Sequence, residues 1–121
     1  MSRWTHVCGL VRIDGLPFGQ PWESDLVTRL RTGAPYGSEG PIQWEIRPSN
    51  SNSSGISLGY VALWADLRDF GTAENIGQVE AWLTSVFRAG EGWCAREGIV
   101  SIEDEHEKNS VIWRAAAGVP A

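Results

Sequence analysis

The sequence is poor in the features that mark most chemistries. Only two of its 121 residues are cysteine, Cys8 and Cys94, far apart and outside any CxxC pattern. Free thiols in a reducing compartment are therefore expected over a disulfide framework. With His6 and His106 these cysteines match no familiar zinc-ligand spacing, so no metal site is expected. No GxSxG, Walker loop or HExxH pattern occurs, and no acid–base pair can be argued from spacing, so neither enzymatic activity nor a cofactor is expected. No stretch approaches the roughly eighteen apolar residues of a membrane span, and no apolar run follows Met1-Ser2-Arg3-Trp4. Membrane association is not expected, and the location expected is the cytoplasm. Ten Lys and Arg against fifteen Asp and Glu leave a net charge of −5 without a basic cluster, which argues against direct nucleic-acid binding and favours a basic partner. The same charge would also simply keep a small protein soluble.

What is present is a globular composition, 42% hydrophobic and 21% charged, with seven tryptophans. That many indoles exceed what one small core needs, so some are expected at a surface that meets a partner. No repeat, linker or low-complexity segment divides the chain, and one domain over residues 1–121 is expected.

Alternation over residues 4–13 places Thr5, Val7, Val11 and Ile13 on one face and Trp4, His6, Cys8 and Arg12 on the other, predicting a half-buried strand. Trp22, Leu26, Val27 and Leu30 follow at helical spacing and end at Gly33. The Gly/Pro-rich stretch 33–41 reads as a connection, and Ile42–Arg47 alternates as a strand stopped by Pro48. Residues 49–55 read as a polar loop and 56–67 as the strongest strand. With Thr72 as N-cap, Ile76, Val79, Leu83, Val86 and Phe87 recur as an amphipathic helix. A short strand at 99–102, an acidic turn at 103–107 and a last strand at 110–114 complete the chain. This order predicts an α+β, ferredoxin-like βαββαβ domain with an extra C-terminal strand, both helices on one face of an antiparallel sheet. The rival is an irregular α+β sheet in which the first helix is short or absent.

The uncovered face would then carry Trp4, His6, Gln43, Glu45, Arg47, Tyr60 and Trp64, an interface-like mixture. The opposing reading is that another segment or a second copy covers these rings. The glycines of Gly37-Ser38-Glu39-Gly40 could form an anion-holding nest or a plain turn. Arg68 could anchor a structural ion pair within Asp66–Asp69 or meet a ligand phosphate.

Three segments, Trp4-Thr5-His6-Val7 through Arg12-Ile13-Asp14, Gly37-Ser38-Glu39-Gly40-Pro41, and Leu63-Trp64-Ala65-Asp66-Leu67-Arg68-Asp69-Phe70, together resemble a family of small bacteriophage and prophage proteins. The resemblance spans residues 4 to 114, with Ala65 standing where the family pattern has glycine. It brings no catalytic residues. It implies a binding protein, with an anti-CRISPR-like inhibitor of a nucleic-acid-binding host complex as the first class. Glu39, Glu45, Tyr60, Trp64, Asp66, Arg68, Glu103, Asp104 and Glu105 are the candidate contact residues. A small-molecule binder or nucleotide sponge, with Trp64 or Trp4 stacking a base, and a self-assembling virion protein are the alternatives.

Overall fold

Twelve-residue stretches that alternate apolar and polar side chains can bury one face only if they lie side by side, and three such strands dominate the fold. The computed structural model describes residues 3–15, 22–49, 57–70 and 74–116. In chain order they form β1 (Trp4–Gly15), α1 (Trp22–Arg31), β2 (Tyr36–Gly37), β3 (Gly40–Pro41), β4 (Gln43–Pro48), β5 (Ser57–Arg68), α2 (Asn75–Val86), β6 (Trp93–Asp104) and β7 (Asn109–Ala116). Five strands make one antiparallel sheet in the order β4-β5-β1-β6-β7, and β2 and β3 pair as a separate hairpin.

Odd-numbered residues of β1 and β5 face the helices. Val7, Val11, Ile13, Val61, Leu63 and Leu67 are buried there with Val100 and Ile102 of β6. Leu26 and Leu30 of α1 and Ile76, Val79, Leu83 and Val86 of α2 join the same core. Each such side chain contributes about 1.5–3 kcal/mol on leaving water. Polar ties fix the helices over the sheet. The indole N–H of Trp93 donates to Asp25 of α1 at 2.9 Å, and Arg29 lies over the same ring at 4.9 Å. At the start of α2, Asn75 donates to the buried Thr5 hydroxyl at 3.3 Å. Trp113 of β7 donates to Thr84 of α2 at 3.2 Å.

The ferredoxin-like βαββαβ expectation is corrected by this arrangement. Among the described residues, seven strands and only two short helices, of ten and twelve residues, make the structure mostly antiparallel sheet. Two signals were misread. The glycines and prolines at 33–41 build the β2–β3 hairpin, tied by Ser38 N–H donating to the Arg68 carbonyl at 2.8 Å and Ile42 N–H to Pro35 at 2.9 Å. Strand β6 begins at Trp93, six residues before the expected start. Its register against β1 shifts between Arg12 and Ile13, where Arg96 is the extra residue, and this bulge breaks the alternation that would have shown the strand.

The first helix is present, and α2 begins after Glu74, which adopts a left-handed conformation and makes no side-chain cap. The expected cap Thr72, residues 50–55 of the expected polar loop, residue 56 and the stretch 16–21 lie outside the described residues. Among the described residues, no helix is long and apolar enough to cross a membrane.

Leu83 is fully buried between α2 and the sheet. Leu83→Ala is expected to lower the unfolding free energy by about 2–5 kcal/mol in urea denaturation, through lost burial and the cavity left behind.

Candidate functional site

Because both helices lie on one side, the even-numbered residues of β1 and β5 form a second face that no described element covers. Strand register orders it into rows. Gln43, Trp64, Cys8, Ser101 and Ile112 make one row, and Glu45, Ala62, Leu10, Ile99 and Arg114 the next. Arg47, Tyr60, Arg12 and Glu97 lie beyond the second row, and Asp66, His6, Glu103 and Ser110 beyond the first.

The centre is apolar. Of the six exposed large hydrophobic residues among those described, Leu10, Tyr60, Trp64, Ile99 and Ile112 lie on this face, and only Tyr36 lies elsewhere. The tryptophan excess divides accordingly. Trp82 and Trp93 are buried, Trp22, Trp44 and Trp113 pack against the core, and Trp4 and Trp64 belong to the open face. Trp4 stacks on His6, with centroids 6.4 Å apart and planes at 4°.

The two ends of the face differ in charge. At one end, His6 Nδ1 meets Asp66 at 2.6 Å and Nε2 meets the Glu105 carboxylate, while Glu103 stands beside His6 in the register. Hydrogen bonds from Glu105 and then Asp66 outweigh burial and hold the His6 pKa above 6.5. The protonated ring therefore donates from both nitrogens and is the cation these carboxylates share. Donor atoms of His6, Glu103 and Glu105 lie within 4.8 Å of one another, so these three residues are the set that could hold a divalent cation in place of that proton. The opposite end is mixed in charge, with Arg12, Arg47 and Arg114 beside Glu45 and Glu97, and Glu97 lies 3.6 Å from Arg12. Arg12 is held by Asp14 at 2.8 and 3.2 Å, and Arg47 by Glu45 at 2.9 Å.

The candidate residues chosen from the sequence separate on this frame. Glu45, Tyr60, Trp64, Asp66, Arg68 and Glu103 share the open face, and Glu105 reaches its acidic end from the β6–β7 turn. Glu39, at the tip of the β2–β3 hairpin, pairs with Arg68 at 3.6 Å. Arg68 also approaches Asp69 at 3.8 Å and lies over Trp4 at 5.9 Å, so its guanidinium is engaged in local structure. Asp104 is the exception. It is fully buried on the helix side, where it accepts the His106 N–H at 3.0 Å.

In the Gly37 turn the Ser38 N–H is taken by the Arg68 carbonyl at 2.8 Å. A Cβ there would lie 2.5 Å from the Arg68 backbone nitrogen, so this glycine serves the close approach of the hairpin to β5. Leu10, Ile99 and Ile112 were missed as site residues. The only available signal was their polar-face parity, legible for Leu10 in the alternation of β1.

No family model, no curated protein and no solved structure matches the chain.

A folded-state pKa raised above the unfolded value stabilises the protein fully below about pH 6.5 and is lost as pH rises through the folded value. In an NMR titration the His6 ring should show a midpoint above 6.5, and Glu105→Gln or Asp66→Asn should lower it. His6→Gln should remove that part of the pH dependence of stability.

Proposed function

We propose that the chain is a non-enzymatic binding protein whose interaction surface is the open face of its sheet. The observation that carries this reading is the gathering of Leu10, Tyr60, Trp64, Ile99 and Ile112 on one uncovered face. Contiguous exposed apolar surface rimmed by polar groups is what an interface offers, and aromatic anchors near its centre supply most of the binding energy. The acidic end, with Asp66, Glu103 and Glu105, sets the sign of the partner. The motif resemblance to bacteriophage proteins makes that partner a host defence complex whose basic, nucleic-acid-binding surface these carboxylates would occupy.

A second reading has its own observation. Between α2, the end of β5 and the β2–β3 hairpin lies a cleft of about 920 Å³, walled by Tyr36, Phe70, Ala81 and Trp82. Trp82 is buried and its indole N–H finds no acceptor among the described residues. Among the described residues lining the cleft the only charged one is Asp69, which suits a neutral, flat ligand with a hydrogen-bond acceptor and not a nucleotide phosphate.

The two readings part in one experiment. Tagged protein is used to capture bacterial lysate proteins, and Trp64→Ala and Glu103→Gln/Glu105→Gln variants are compared at matched melting temperature. A nucleic-acid-binding host protein held by the wild type and lost at least about tenfold in both variants supports the proposal. Capture indifferent to both variants sinks the open face as the binding surface. A melting temperature raised by a neutral aromatic ligand and insensitive to Trp64 would favour the cleft.

A further inference from the structure

A buried donor without an acceptor lies in the wall of the cleft between α2 and the β2–β3 hairpin. We infer that this cleft binds a small, uncharged, planar ring compound whose carbonyl enters first and accepts from the Trp82 indole N–H. The inference rests on the cleft reading above and adds the functional group that is recognised and the residue that selects it. It holds alongside an interaction surface on the open face.

Helical spacing builds one wall. Gln78, Ala81, Trp82 and Ser85 fall at i, i+3, i+4 and i+7, so they share the face of α2 that lines the cleft. The small side chain of Ala81 leaves room beside the hairpin. The volume, about 920 Å³, falls within the range that small organic ligands occupy.

Exposure grades the lining from inside to outside. Pro35, Gly37, Phe70 and Trp82 are buried, whereas Tyr36, Ser38 and Ser85 are exposed at the rim. Of the four buried residues only Trp82, 6% exposed, has a polar side-chain atom, and its N–H has no acceptor among the described residues. A buried water takes about three polar partners, more than these buried side chains offer. A carbonyl needs only the one donor, and the apolar surroundings of the indole favour a flat ring behind it. The rim hydroxyls suit polar groups at the ligand's outer edge.

Charge narrows the class further. Asp69, the one charged residue among those described in the lining, accepts the Arg3 N–H at 3.0 Å and lies 3.8 Å from the Arg68 guanidinium. Its carboxylate disfavours an anionic ligand, and the neighbouring guanidinium already supplies the opposite charge that a cationic one would bring.

The test is an NMR titration of the full chain with chromone, a bicyclic ring ketone, and with indole, a ring of similar size that offers no carbonyl. Trp82→Phe assigns the Trp82 indole resonance, and the amide resonances of Ala81 and Ser85 report binding in every variant. Chromone should move the Trp82 indole resonance downfield to saturation and bind at least about fivefold more tightly than indole. Trp82→Phe should abolish that preference. Ala81→Phe, at an exposed position of α2, should fill the cleft and remove binding of both compounds while the melting temperature of the free protein stays unchanged. Trp64→Ala should alter neither affinity. Equal binding of chromone and indole, both lost in Ala81→Phe, overturns the carbonyl contact and keeps the cleft as a ligand site. Binding of neither compound, or binding that survives Ala81→Phe, overturns the inference and the cleft reading together.

Discussion

Strand β1 is hydrogen-bonded along both edges for almost its whole length, to β5 on one side and β6 on the other. A central strand whose backbone donors and acceptors are all taken up by neighbours cannot slip without losing both ladders, and a slip of one residue would turn Val7, Val11 and Ile13 out to solvent. This double pairing sets the parity of the whole sheet. It decides that Thr5, Val7, Val11 and Ile13 go to the helices and that His6, Cys8, Leu10 and Arg12 go to the other side. The helices follow that parity, because Leu26, Leu30, Val79 and Leu83 have only one apolar surface to cover.

The same constraint assembles the open face. Asp66, His6 and Glu103 come from three strands separated by up to 97 positions in sequence, and they meet because all three occupy one register row. Hydrogen bonds to the Glu105 and Asp66 carboxylates favour the protonated ring, which is why the pKa of His6 rises. The apolar centre arises in the same way, from Trp64 and Tyr60 on β5, Leu10 on β1 and Ile99 on β6. None of these residues is unusual alone. Their adjacency makes a surface that water covers poorly.

The legible part of the fold was the part in which period and chemistry agreed. Alternation over 4–13 and 56–67 and the helical recurrence of Ile76, Val79, Leu83 and Val86 correspond to β1, β5 and α2 within a few residues. Elements were missed where one local irregularity spoiled the period. Arg96 in the bulge hid the first half of β6, and the density of glycine and proline at 33–41 concealed a hairpin inside what read as a connection. These two misreadings account for the wrong architecture. Among the candidate site residues, Glu45, Tyr60, Trp64 and Asp66 could be placed on the open face by parity alone. Asp104 could not, because the acidic run 103–107 shows no period that would distinguish its buried member from exposed neighbours.

The sequence by itself determined which side chains could share a face, since alternation along a strand is a property of the backbone and needs no partner. It also set the net charge and the number of indoles in excess of the core. Tertiary structure alone decided which strands are neighbours, and therefore that His6 lies between Asp66, Glu103 and Glu105 and that Trp64 lies one row from Ala62. The reason is physical. Pairing is chosen by the combined burial and hydrogen bonding of distant segments, and that sum is not written in any one of them.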